Sequence, residues 1–150
     1  MTHVAQYNIG RLRYDLEDPR VADFVKGLDT VNRIAERSPG FVWKYETGAG
    51  GVVEQRIQDD PRIVVNMTVW ENVTALHHFV WNTLHKHFIE RTREWFDTMP
   101  AAHFVMWWVP VGHRPDLAEA EDRLEQYRTG GPSKSVFGWS DVRELMGAGQ

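Results

Sequence analysis

The order of the predicted elements, strand, helix, strand, strand, helix, strand, makes this chain an α+β protein built on a split βαβ unit. Three observations carry that expectation. Four stretches alternate in steps of two, as strands do: "HVAQYNI", "FVWKYE", "RIVVNMTVW" and "AHFVMWWVP". Helical spacing takes over between the first and second of them and again between the third and fourth. The 150 residues are 42% apolar and 25% charged, which suits one domain with its own core.

Residues 3 to 9 form the first strand, with Ala5, Tyr7 and Ile9 on one side and Val4, Gln6 and Asn8 on the other. A helix follows over residues 19 to 37. Asp18 is its N-cap, Pro19 its first residue, and Val21, Phe24, Val25, Leu28, Val31, Ile34 and Ala35 recur at helical spacing. "SPG" stops it at 38 to 40. The second strand, 41 to 46, sets Phe41, Trp43 and Tyr45 on one side. The glycines of residues 47 to 60 suit a hairpin or loop with a short strand near Val52 to Ile57; the lysine and hydroxyl residue of a phosphate loop are missing.

The third strand, 62 to 70, divides into Ile63, Val65, Met67 and Val69 against Val64, Asn66, Thr68 and Trp70. A short helix over 72 to 80 has Asn72 or Thr74 near its cap, and 81 to 100 continue as an amphipathic helix. At roughly 100° per residue, Trp81, Leu84, His85, Phe88, Ile89, Thr92, Trp95, Phe96 and Met99 share one arc of about 140°. His87 falls outside it, so "HKH" is not a chelating pair. The fourth strand spans 102 to 110 and places Trp107 and Trp108 on opposite faces. From about residue 111 a C-terminal extension begins. It holds a helix opened by Pro115 and Asp116 and closed by Gly130, a short fifth strand in "KSVFGW", and a frayed end. The whole is one domain, residues 1 to 150.

Composition narrows the function. A net charge of −4 and a pI near 6.0 argue against a nucleic-acid partner. No run of 18 apolar residues predicts a membrane span, and no basic-then-apolar start marks a secretory signal. The chain has no cysteine, which removes thiolate chemistry and cysteine-held zinc and makes a cytoplasmic address the default. His77, His78, His85 and His103 lack metal-ligand spacing and a converging carboxylate, so no metal site is expected. A nucleophile elbow is also absent. Seven tryptophans point to a large aromatic core or to a pocket for a flat apolar molecule.

One sheet face is expected under the helices and the other to carry Gln6, Asn8, Asn66, Thr68 and Trp70. An exposed face of that kind marks an interface. The economical arrangement is a twofold homodimer with sheets face to face, leaving a partly polar cavity in each half. Its lining would be Asn8, Trp43, Asn66, Thr68, Trp70, Trp81 and Trp108, with His85 on the apolar arc of its helix. A neutral imidazole there serves as a base or as a metal or heme ligand; packed against a carbonyl, it is part of a core. Buried amides likewise need a partner, a water or a ligand, whereas on an open face they meet solvent.

The stretches "AQYNIGRLR", "DFVKGLDTVNRIAERSPGFVWKYE", "VVNMTVWENVTALHHFVW", "HKHFIERTREWF", "WWVPVGHRPDLAEAEDRLEQYRTGGPS" and "FGW" resemble the bacterial family of unknown function DUF3291 from about residue 3 to 139. That family is similar to the dimeric α+β barrel superfamily of antibiotic-biosynthesis and heme-degrading monooxygenases. The resemblance implies a dimeric barrel of ferredoxin-like halves and cofactor-independent oxygenation of a flat aromatic molecule. In it Asn8 would hold a substrate oxygen and His85 would act as base. Similarity to the Isd-type enzymes implies heme as the alternative ligand, with Asn8 and His85 at matching places. The tryptophan of that pattern is not matched: Trp81 stands one turn before His85, and Trp70 at a strand end.

Overall fold

A computed structural model describes residues 2–15, 17–45, 62–84, 92–97, 103–139 and 141. The expected short strand near Val52 to Ile57, residues 85 to 91 with His85, and the end of the chain lie outside the described residues. β1 (Thr2–Arg11) leads through a 3-10 turn (Pro19–Val21) into α1 (Ala22–Arg37). β2 (Phe41–Lys44) and β3 (Ile63–Trp70) follow, then α2 (Val73–Phe79), which runs into a π-helical turn (Val80–Leu84). α3 (Thr92–Trp95), β4 (Phe104–Pro110) and α4 (Leu117–Gly130) complete the order.

The four strands lie in the order β2-β3-β1-β4, every neighbouring pair antiparallel. This is the split βαβ topology: α1 joins β1 to β2 across β3, and the segment after β3 joins it to β4 across β1. Local chemistry fixes the ends. Asp18 Oδ1 accepts from Arg20 N at 2.8 Å, Asn72 Oδ1 from Ala75 N at 2.8 Å, and Asp116 Oδ1 from Glu119 N at 2.8 Å; each cap satisfies a backbone donor that the helix leaves free. Gly40 turns the chain between α1 and β2 at φ 86°, and a Cβ there would land on Ala75.

Strand register sorts the side chains onto two faces. On the aliphatic face Ala5, Tyr7, Ile9, Ile63, Val65, Met67, Val69, Val105, Trp107 and Val109 form one core cluster, closed by Ala120 and Leu124 of α4 and by Val136. The amide face carries Val4, Gln6, Asn8 and Gly10 of β1, beside Trp70, Thr68, Asn66 and Val64 of β3 and beside Trp108, Met106 and Phe104 of β4. It is covered by α1 and α2: Val31, Ala35, Val73, Leu76 and Phe79 pack on Val4, Trp70 and Met106.

That placement corrects the expected arrangement. The face of Gln6, Asn8, Asn66, Thr68 and Trp70 lies beneath helices rather than open for a second sheet, and the aliphatic face has its own helix. Alternation distinguishes the two faces of a strand but is silent about which one each helix covers. Trp70 decides it here: its ring stacks on Phe79 of α2 at 5.1 Å and meets Phe41 edge-on at 5.5 Å.

The expected fifth strand reduces to one antiparallel bridge, Met106 to Phe137, with backbone bonds of 2.8 and 3.0 Å in the two directions. It straps residues 136–139 along the edge of β4 and seats Phe137 against Val4 and Met106. At the far end of β1 the chain around α3 is pinned down. Arg13 N donates to Trp95 O at 2.8 Å, Asp97 N to Arg11 O at 2.8 Å, and Arg11 Nη1 pairs with Asp97 Oδ2 at 2.5 Å. Phe96 thereby sits over Gly10, where a Cβ would come within 2.6 Å of its ring.

Candidate functional site

The amide face has apolar packing at both ends and polar groups between. One end is the cluster of Val4, Trp70, Leu76 and Phe79; the other is Leu12, Val21, Phe24, Val64 and Trp95. Between them four polar side chains form a continuous network. Trp70 Nε1 donates to Thr68 Oγ1 at 2.8 Å, and Gln6 Nε2 donates to the same oxygen at 2.8 Å. The second hydrogen of Gln6 Nε2 goes to Asn66 Oδ1 at 2.6 Å, while Gln6 Oε1 accepts from Asn8 Nδ2 at 2.9 Å. Gln6 and Thr68 are buried, so these bonds satisfy groups that would otherwise cost about 1–3 kcal/mol each.

Asn8 and Asn66 differ from their neighbours. They are directly opposite each other on adjacent strands, and both strands are interior to the sheet. A helix-covered position in the middle of a sheet is ordinarily closed, yet both residues remain partly exposed. The cover over the sheet therefore does not seal off these two side chains. Among the described residues nothing bonds Asn66 Nδ2 or Asn8 Oδ1.

Aromatic rings wall one side. Phe104 is the β4 partner of Asn8, and Trp139 stacks on it with centroids 5.5 Å apart. Trp81 meets Trp139 edge-on at 5.2 Å, and His77 stacks flat on Trp81 at 4.5 Å. Trp81 was expected inside the apolar arc but is half exposed. The π-helical turn that contains it adds a residue to the helical turn and moves the side chains off the 3.6-residue phase on which the arc was drawn.

The remaining expected site residues divide by position. Thr68 and Trp70 are buried and support the network from behind. Trp43 stands opposite Val69 and packs with Tyr45 against the aliphatic cluster, on the other side of the sheet from Asn8 and Asn66. Trp108 shares the amide face, but it pairs with Val4, four residues along β1 from Asn8, and tilts against Phe137. His85 lies outside the described residues. His78 Nδ1 lies 3.0 Å from Asn82 Nδ2 and His113 Nε2 lies 2.7 Å from Glu119 Oε1, while His77 stacks on Trp81. Glu119 Oε2 in turn accepts from buried Trp107 Nε1 at 2.9 Å. Gln6, Phe104 and Trp139 were not singled out from the sequence. Gln6 shares the alternation of Asn8, which is the signal that was available for it; nothing local pointed to Trp139.

A described group whose ionisation is strongly displaced by burial lies on the other face. Tyr7 is fully buried and its hydroxyl donates to Glu121 Oε2 at 3.1 Å. Burial first, and the Glu121 carboxylate second, push the phenol far above its ordinary range. Among the described residues no group of three or more histidine and acidic side chains is placed to hold a metal ion, and no helix is long and apolar enough to cross a membrane.

The chain is similar in structure to a protein of unknown function from Nitrosomonas europaea, NE2512, with a TM-score of 0.53 at 9% identity over 77% of this chain and 97% of that one. It is also similar to SnoaB, a cofactor-independent oxygenase from Streptomyces nogalater, with a TM-score of 0.49 at 17% identity over 79% and 100%. No functionally curated protein matches it in sequence. The first likeness shows the same fold. Residues 3–148 match a domain of unknown function, and this chain accordingly belongs to the DUF3291 family.

Proposed function

We propose that a recess on the amide face binds a small, flat, largely apolar molecule that carries polar oxygen or nitrogen. The observation behind this reading is the partial exposure of Asn8 and Asn66 in the middle of a helix-covered sheet, with amide atoms unbonded among the described residues. Neutral amides beside Phe104 and Trp139 favour an uncharged aromatic ligand: the rings take its face and the amides orient it. The chemistry proposed for the bound molecule is cofactor-independent oxygenation. Asn8 holds a substrate oxygen, His85 takes the proton, and the surrounding tryptophans keep water out.

The proposed recess lies under α1 and α2 of one chain, so binding there does not require a second copy. Calorimetric titration with 2-naphthol tests the reading. Asn8→Ala and Asn66→Ala are each expected to weaken binding by about tenfold, the loss of one well-placed hydrogen bond in a sheltered site. Trp43→Ala, on the opposite face, is expected to leave it unchanged. Equal affinity in all four proteins removes the recess as the site. Oxygen uptake with the same compound, lost in His85→Ala, tests the chemistry.

A further inference from the structure

The polar network does more than stabilise the sheet: we infer that Gln6 is a positioning residue that makes the recess select ligands carrying a hydrogen-bond donor directly beside an acceptor. The inference rests on the recess being a ligand site and concerns which ligands it prefers.

An asparagine amide can present either end, so an unconstrained pair selects nothing. Here Gln6 engages one end of each. Thr68 Oγ1 accepts from Trp70 Nε1, and it lies 2.8 Å from Gln6 Nε2. Facing that oxygen, Gln6 places its NH2 on the β3 side and its carbonyl toward Asn8. One hydrogen of the NH2 then reaches Asn66 Oδ1 at 2.6 Å, which uses the acceptor of Asn66 and leaves its two N–H groups for the recess. Gln6 Oε1 binds one N–H of Asn8 at 2.9 Å; among the described residues the Asn8 carbonyl oxygen and its other N–H have no partner. The bonds of Gln6 to Thr68, Asn66 and Asn8 thus run in one direction across the sheet.

The recess then offers donors from Asn66 beside an acceptor from Asn8, on side chains directly opposite in register. The complementary ligand group is a carbonyl next to an N–H or O–H, as in an aromatic lactam or a hydroxy ketone. Phe104, in register with Asn8 on its other side, takes the ring that carries it. A ligand with an acceptor alone leaves the Asn8 oxygen unpaired in a sheltered place, a mismatch that discriminates strongly.

Calorimetric titration with 2-quinolone, which has the adjacent N–H and carbonyl, and with quinoline, which has an acceptor alone, tests this. The wild type is expected to bind 2-quinolone about tenfold or more tightly than quinoline. Gln6→Met keeps length and bulk but lets both asparagines turn, and is expected to bring the two affinities within about threefold while the protein still folds. Asn66→Asp keeps the acceptor that faces Gln6 and replaces the donors with an acceptor, and is expected to weaken 2-quinolone selectively. Should the wild type bind both compounds alike, or Gln6→Met keep the full preference, the positioning role fails while the recess stands as a site. Should neither compound bind while 2-naphthol does, the donor–acceptor pattern is likewise wrong. Should no planar aromatic probe bind at all, the ligand site and the inference built on it fall together.

Discussion

Thr68→Val isolates the link between the tryptophan core and the amides. Valine has nearly the shape of threonine, so the change opens no cavity and removes one oxygen. That oxygen accepts two bonds of 2.8 Å, from Trp70 Nε1 and from Gln6 Nε2, and both Thr68 and Trp70 are buried. The indole N–H is then left without a partner where water does not reach, at a cost of about 1–3 kcal/mol. Gln6 keeps its bond to Asn66 but loses its second, about 1 kcal/mol more. The added methyl returns up to about 1 kcal/mol by its own burial. The net expectation is a loss of about 2–3 kcal/mol, or roughly 5–10 °C in Tm for a domain of this size. Urea unfolding followed by circular dichroism reads it, as a lower midpoint at unchanged slope. Thr68→Ser keeps the oxygen and loses the methyl, and is expected to cost about 1 kcal/mol. A Thr68→Val protein within about 0.5 kcal/mol of wild type, or one more stable than Thr68→Ser, would refute the argument, because packing and not the hydroxyl would then decide.

Gly10→Ala forces a methyl to within 2.6 Å of the Phe96 ring, which already meets Phe24 edge-on at 5.0 Å; a loss of about 1–3 kcal/mol is expected in the same unfolding assay. Tyr7 gives an alkaline signature. Its folded pKa is raised, so above the ordinary tyrosine value of about 10 the unfolded chain ionises while the folded one keeps its proton, and stability falls as pH rises. Tyr7→Phe is expected to flatten that fall between about pH 9.5 and 11; an unchanged slope would assign it to other groups. Hemin gives a third check. The present account expects no Soret shift, whereas one that vanishes in His85→Ala would move the assignment to a heme protein.

Much of the fold was legible because the patterns were strong. Asp18–Pro19 and Asn72 cap where their side chains said they would, and the four alternating stretches are the four strands. The covered face was not legible, because each face of this sheet carries enough large side chains to need a helix. On the amide face Val4, Trp70 and Met106 demand α1 and α2, although Gln6, Asn8 and Thr68 lie beside them. The C-terminal helix packs on the aliphatic face at β4, and its own pattern is weak: Ala120 and Leu124 are its buried positions. Asn8 and Asn66 were singled out by their residue types, but the network that orders them depends on register. Gln6 reaches Asn66 and Thr68 across sixty or more residues of sequence. Trp43 failed as a lining residue for the same reason, since the strand irregularity between Phe41 and Trp43 sets them on opposite faces.

The most direct test of a ligand recess between the helices and the amide face is nitrogen–proton correlation spectroscopy of the asparagine side-chain amides, with 2-naphthol added stepwise. The account predicts that the resonances of Asn8, Asn66 and the Trp139 indole shift together and saturate at one equivalent, while that of Trp43 stays in place. Shifts confined to Trp43 or Trp108, or no saturable shift at the two asparagines, would contradict it.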